Sequence, residues 1–270
     1  MIRKTLTIAV FAFLLQTSSL LAGSTDSEAM KNSNSENTAG ECFEKASRAV
    51  FAFNYTLDKS FFKPIAKGYR SLPVPIRKGA SNAMDNLRSL LTFSNNILQG
   101  EFSEAGVTAG RFAINTTAGI LGVFDPAEKL GLKKKGKEDF GQTMAVWGAG
   151  TGCYFVLPIL GPTTSRDAFG LVGNLFLDPV YQITHNTEIS NDVIGNSNYS
   201  EHNYYYYKST SGVDFRAKNI ESFDSVEKNS IDLYASLKSL YLQDRNKKVN
   251  NSQSSVDTLN DSDWEEIDTN

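Results

Sequence analysis

Apolar and polar positions divide the chain into an N-terminal leader, a helix-rich body and a polar tail. Leu6 to Leu15 is an unbroken run of apolar residues and threonine behind Arg3 and Lys4, and QTSS and SLLAGS follow it. That order of basic, apolar and small residues predicts a secretory signal over 1–23, cut after Ala22, Gly23 or Ala29. Its apolar run is about half of the ~20 residues that a membrane-spanning helix needs. The stretch 24–40 is rich in serine, asparagine and glutamate and has almost nothing to bury, so it predicts a flexible spacer. From Glu41 the pattern changes. Phe43, Ala46, Val50, Phe51, Asn54 and Leu57 recur at helical spacing, which predicts an amphipathic helix.

SFFKPIAKGY comes next, and Pro64 is expected to interrupt it. Here Lys59, Lys63 and Lys67 stand beside Phe61, Phe62, Ile65 and Tyr69, a mixture that suits either the headgroup boundary of a membrane or ordinary packing with solvated lysines. Pro73 and Pro75 then start a long helix from Ile76 to Leu98, closed by Gly100. Ser103 is expected to cap a further helix reaching Ile120, in which Gly106 and Gly110 would let a neighbouring helix approach closely. Phe124-Asp125-Pro126 breaks that pattern, 131–137 is a lysine-rich loop, and Asp139 opens a short helix to Trp147. Gly148, Gly150 and Gly152 lead into CYFVLPILG, an extended apolar segment ended by Pro158 and Gly161. Thr164 or Ser165 caps a helix that runs past Phe176 to Asp178-Pro179. After a polar stretch from Asn186 to Glu201, two helices are expected, over 202–221 and 226–245. The Asn/Ser/Asp composition of 246–270 predicts a disordered acidic tail.

Charge and chemistry narrow the class of function. The formal charge is −3, but six carboxylates and no base lie between Asp257 and Asn270, so the body without tail and signal is mildly basic. That is no nucleic-acid footprint, yet it tolerates anionic headgroups. Cys42 and Cys153 are the only cysteines; in an oxidising compartment they suit one disulfide, and two separate buried thiols are the alternative. With His185 and His202 they show no metal-ligand spacing, and no cofactor is expected. GLKKKGKE has P-loop spacing, but Glu138 stands where a magnesium-binding Ser or Thr is required, and no buried strand precedes it. GAGTG is followed by an extended segment instead of the helix a pyrophosphate needs. No GxSxG is present, both histidines lie in polar segments, and no catalytic set can be assembled, so no enzyme is expected.

RFAINTTAGILGVFDPA, FGQTMAVWGAGTG and LPILGPTTSRDA together resemble the MlaA (VacJ) family of outer-membrane phospholipid-transport proteins, strongly over Glu41 to Gln182 and weakly over Val213 to Arg245. The resemblance implies a mainly α fold, a single domain over 41–245 whose amphipathic helices form a ring-like, membrane-embedded arrangement. It also implies partners: phospholipid, the outer membrane of a Gram-negative bacterium, a trimeric porin, and a periplasmic lipid-carrier protein serving an inner-membrane ATP-binding cassette transporter. Misplaced outer-leaflet phospholipid would pass through a central channel to that carrier. By motif match, Asn54, Arg111, Asn115, Asp125, Gln142 and Arg166 are expected to line the lipid passage or support it. Arg111, Asp125 and Arg166, together with Asp167, have a structural alternative as buried ion pairs that fix helix packing, and Asn115 and Gln142 have one as helix caps. Gly148, Gly150 and Gly152 are candidates for a hinge beside the passage, or for plain turn residues. One departure stands out: Leu21-Ala22-Gly23 resembles the start of a lipobox, but Ser24 occupies the lipid-bearing cysteine position, so no lipidation is expected there. A soluble periplasmic scaffold, with the apolar stripes as its helical core, is the competing reading.

Overall fold

The computed structural model describes residues 40, 42–185 and 201–250. The expected signal peptide, its cleavage sites, nearly all of the spacer, the polar stretch 186–200 and the tail beyond 250 lie outside the described residues. Helix α1 (Glu44–Leu57) passes through a π-helical turn (Asp58–Phe62) into α2 (Lys63–Arg70). Pro64 therefore does not interrupt the segment. The wider turn sends the Lys63 N–H back to the Asp58 carbonyl, and Pro64 falls in the first turn of α2, just past that widened turn. Helix α3 (Val74–Gln99) starts behind Pro73 and ends at Gly100, whose φ of 80° is the left-handed closure that glycine supplies without strain.

Helix α4 (Phe102–Thr117) begins one residue before the expected cap, with Glu101 at the N-cap and Ser103 already inside the first turn. It also stops three residues early, because Ile120 and Leu121 adopt φ values of 52° and 56° and fold the chain back. Asp125 caps the single turn α5 (Pro126–Lys129), and Asp139 caps α6 (Phe140–Val146) by accepting from the Gln142 N–H at 3.0 Å. The apolar run after the glycines is half of a hairpin: β1 (Tyr154–Leu157) pairs antiparallel with β2 (Gly161–Thr164), Tyr154 opposite Thr164. GPTT carries too little β-propensity to announce the second strand.

Thr164 then caps α7 (Ser165–Leu177), followed by α8 (Pro179–His185), α9 (Glu201–Lys218), α10 (Ile220–Asn229) and α11 (Leu233–Val249). Three C-terminal helices replace the two expected. The break at Ser230 is set by Asp232, which caps α11 through the Ala235 N–H; no glycine or proline marks it. Close helix contact occurs away from Gly106 and Gly110: a Cβ at Gly106 would meet nothing within 4 Å. It is α6 and α7 that touch backbone to backbone, since a Cβ on Gly170 would lie 2.6 Å from the Gly141 nitrogen, and one on Gly173 would overlap the Phe140 ring.

The apolar core is small. Tyr154, Val156 and Tyr234 pack with Val50, Phe51, Tyr241 and Leu242, and Phe51 meets Tyr234 edge-on at 5.5 Å. Cys42 and Cys153 are joined by a disulfide, Cα atoms 5.6 Å apart, which ties the start of α1 to the start of the hairpin. Closing a loop of 111 positions stabilises the fold by on the order of 4 kcal/mol in the chain-entropy model.

Candidate functional site

The described part of the chain is polar inside and apolar outside. Among its buried side chains polar and charged residues outnumber apolar ones about two to one, while many large apolar residues are exposed. Helix α3 shows the arrangement within one element. Ser81, Asn86, Thr92, Asn95 and Asn96 are buried, whereas Ile76, Leu87, Ile97 and Leu98 face outward. Its polar stripe is held by partners: Asn86 donates to Thr116 at 2.8 Å, and Asn95 accepts from the Thr143 hydroxyl at 2.7 Å. Burying amides and hydroxyls in this way is tolerable only because they are hydrogen-bonded.

Between α3, α4 and the lysine-rich segment 131–137 lies a polar cavity. Arg111, Asn115 and Asp125 form one wall. Arg111 pairs with Asp125 at 2.5 Å and donates to the Leu132 carbonyl; Asn115 donates to Asp125 at 2.9 Å and accepts from the Ala127 N–H. Burial raises the Asp125 carboxyl, but the Asn115 and Arg111 hydrogen bonds outweigh it and hold the group below its ordinary value. These three expected residues thus cap α5, brace the folded-back turn and border the cavity at once. On the opposite wall Asp85 bridges Lys134 at 2.5 Å and Lys137 at 2.9 Å, and Arg88, Thr92 and Thr108 also face the space.

Gln142 and Arg166 do not border that cavity; they belong to a second polar cluster around Arg245. Arg245 on α11 donates to Asp139 at 2.6 and 3.0 Å and to Asp167 at 2.9 Å, and it reaches Gln142 at 3.3 Å. Tyr241 donates to Asp167 at 2.7 Å, and the Arg166 Nε also donates to Asp167, at 3.1 Å. The cluster fastens α11 across the glycine contact of α6 and α7. Sequence reading missed Asp139 as an ion-pair partner, and Arg245 altogether. The interhelix spacing that unites them leaves no local pattern.

Glu138 is buried in the same region and accepts from Gln99 at 3.1 Å and from Gln142. Burial pushes its carboxyl above the ordinary value. A raised carboxylate removes stability as pH climbs from the unfolded pKa through the folded one. Glu138→Gln keeps an acceptor for both amides and is expected to raise the thermal midpoint at pH 7, with the gain shrinking toward pH 4. Thermal melts at both values check this.

Asn54 lies apart and fixes the hairpin. It donates to the Leu157 carbonyl at 2.8 Å and accepts from the Ile159 N–H at 2.7 Å. Gly148 and Gly152 have φ values of 91° and 71°, and a Cβ at Gly152 would press on Ser165 at 2.9 Å. Gly148 and Gly150 border open space, and none of the three borders the polar cavity. The cavity residues missed by sequence reading are Asp85, Arg88, Lys134 and Lys137. The lysine-rich loop was visible as such, but only the fold brings Lys134 and Lys137 against Asp85 of α3 and Lys135 against Glu104 of α4.

A family model described as MlaA lipoprotein matches residues 40–248. An uncharacterized Rickettsia bellii protein is 36% identical over 210 residues, 77% of this chain and 76% of the relative. The intermembrane phospholipid transport system lipoprotein MlaA of Escherichia coli is 28% identical over 204 residues, 74% of each chain. The protein of the same name from Haemophilus influenzae is 34% identical, over 53% of this chain and 58% of its own length. A solved structure reported as the structural basis for maintenance of bacterial outer membrane lipid asymmetry superposes with a TM-score of 0.65 at 26% identity, over 78% of this chain and all of that one.

Proposed function

We propose that this chain, which belongs to the MlaA lipoprotein family, removes misplaced phospholipid from the outer leaflet of a Gram-negative outer membrane and passes it toward a periplasmic carrier. The observation that carries this reading is the inverted distribution of polarity. Phe102, Leu121, Trp147, Leu160, Phe169 and Phe176 are all more than half exposed, while asparagines, glutamine and ion pairs fill the interior. Exposed apolar surface on this scale marks contact with lipid or with another protein.

Backbone conformation supports lipid as the contact. Ile120, Leu121 and Ile159 hold left-handed φ values of 52°, 56° and 67°, which are costly for β-branched and bulky residues, and all three side chains are exposed at 63–72%. A strained apolar tip in water has no gain to offset its strain; in an acyl layer each such side chain gains roughly 1.5–3 kcal/mol. No described helix is long and apolar enough to cross a membrane. The helices would therefore lie within the membrane plane, arranged as a ring whose outer faces meet acyl chains while the polar cavity accepts headgroups. A trimeric porin fits as the neighbour covering part of the apolar exterior. Such a path needs no catalytic group in this component, because the lipid moves without a covalent step.

Purification in mild detergent followed by lipid extraction and mass spectrometry tests the reading: phospholipid is expected at about one molecule or more per chain, and phospholipid-free protein would overturn it.

Membrane attachment departs from the relatives whose names call them lipoproteins. Both cysteines of the sequence are spent in the disulfide and Ser24 has no thiol, so in this reading the membrane is held by the fold or through a partner. Cells grown with a palmitate analogue are expected to yield an unlabelled mature protein; a labelled mature band contradicts this.

A further inference from the structure

Charge within the polar cavity is not balanced. Arg111 is matched by Asp125, and Lys135 by Glu104 at 2.8 Å. Five cationic side chains line the cavity against two carboxylates, Asp85 and Asp125, and Asp85 is shared by Lys134 and Lys137. Arg88 is the cation among them that stands apart. It borders the cavity, has no ion pair or hydrogen bond among the described residues, and its Nε is buried without a partner. A guanidinium presents five donors in a planar fork, and a buried donor such as this Nε is costly to leave without a partner unless an anion occupies the space it faces.

The neighbours feel this excess. Lys137 is pushed below the ordinary lysine value, first by burial and then by the positive charges of Lys134 and Arg88, with Asp85 opposing. A bound anion offsets the repulsion from Lys134 and Arg88. The remaining lining is neutral and rich in hydrogen-bonding groups: Asn82 and Ser89, with the hydroxyls of Thr92 and Thr108. No carboxylate is left for an ammonium group, because Asp85 and Asp125 are already engaged.

We infer that Arg88, with Lys134 and Lys137, binds the phosphate of a phospholipid headgroup, and that the cavity selects headgroups of net negative charge bearing hydroxyls over zwitterionic headgroups bearing an ammonium. The phosphate accepts from the Arg88 fork and the lysines. A glycerol-type headgroup then meets hydroxyl and amide groups, whereas an ethanolamine ammonium meets like charge. The inference rests on the proposed transport of phospholipid and specifies which lipid the passage favours.

The test uses full-length protein in a neutral detergent, titrated calorimetrically with dihexanoyl phosphatidylglycerol, dihexanoyl phosphatidylethanolamine and inorganic phosphate. The glycerol lipid is expected to bind at least about tenfold more tightly than the ethanolamine lipid, and more tightly than inorganic phosphate. Arg88→Gln is expected to lose about tenfold of that affinity while its unliganded thermal midpoint holds or rises, and Arg88→Lys to keep part of it. Raising salt should weaken the glycerol lipid more than the ethanolamine lipid. Equal affinity for the two lipids, or full affinity in Arg88→Gln, would overturn the inference. Inorganic phosphate binding as tightly as the glycerol lipid would overturn it too, by identifying a site for free phosphate. The comparison between lipids uses the unaltered protein, so it decides even where a variant fails to fold. Phospholipid that co-purifies without headgroup preference leaves the transport reading standing and this inference lost; absence of any co-purifying phospholipid removes the transport reading instead.

Discussion

Asparagine at positions 120, 121 and 159 together is expected to weaken membrane binding by more than a hundredfold while raising the stability of the fold. Each of these residues is apolar, exposed and left-handed. Three side chains, each worth roughly 1.5–3 kcal/mol when moved from water into an apolar layer, amount to about three decades or more in partitioning if all insert fully. Asparagine tolerates the left-handed conformation far better than isoleucine or leucine, so the backbone relaxes by up to about 1 kcal/mol at each position. The two effects have opposite signs, which separates a lipid-inserted tip from a packed one. Vesicle flotation and thermal melts on the same preparation measure both. Unchanged flotation shows that these tips do not meet lipid, and a lowered midpoint shows that they pack within the protein.

The largest effect on folding is expected at Arg245. Arg245→Met leaves Asp139 and Asp167 facing one another in a buried region, and uncompensated buried charge of this kind costs about 3–5 kcal/mol. In the unaltered protein burial raises both carboxyls, but Arg245, with further help at Asp167 from Tyr241, overrides it and holds each below its ordinary value. Their contribution is therefore present above the unfolded carboxylate pKa and lost as pH falls through the folded values. Without Arg245 the sign reverses: the two carboxyls rise, and the variant regains stability on acidification. Adding Asp139→Asn and Asp167→Asn to Arg245→Met is expected to restore most of the loss at pH 7. Chemical denaturation across pH 4–8 checks both statements.

Local signals in the sequence were reliable where one residue type dictates one conformation. Gly100 ends α3, Asp139 caps α6 and Thr164 caps α7, as their positions predict. Where two conformations satisfied the same residues, the structure differs. Pro64 could break a helix or begin one, and a π-turn let it begin one. Gly106 and Gly110 could have lain at a helix contact, but Gly141, Gly170 and Gly173 form it, a choice made by which faces meet across α6 and α7.

The candidate site was legible in part for the same reason. Arg111, Asn115 and Asp125 lie within fifteen residues and meet through one turn, so a short motif carries them. The opposing wall joins α3 to a loop nearly fifty residues later, as in the Lys134–Asp85 pair, and no spacing in the sequence records it. The direction of the apolar stripes was legible only as periodicity. Which side faces inward depends on the polar partners that neighbouring helices supply, and for α3 those partners claim its asparagines.

Outer-leaflet phospholipid, quantified by surface-accessible labelling in cells that lack their own MlaA-family protein and produce this chain, tests the central claim most directly. The account predicts that the outer-leaflet phospholipid accumulated by the deletion strain falls toward the level of unmodified cells, with recovery of resistance to detergent. Protein that is folded, present in the outer membrane and yet leaves outer-leaflet phospholipid at the level of the deletion strain would contradict it.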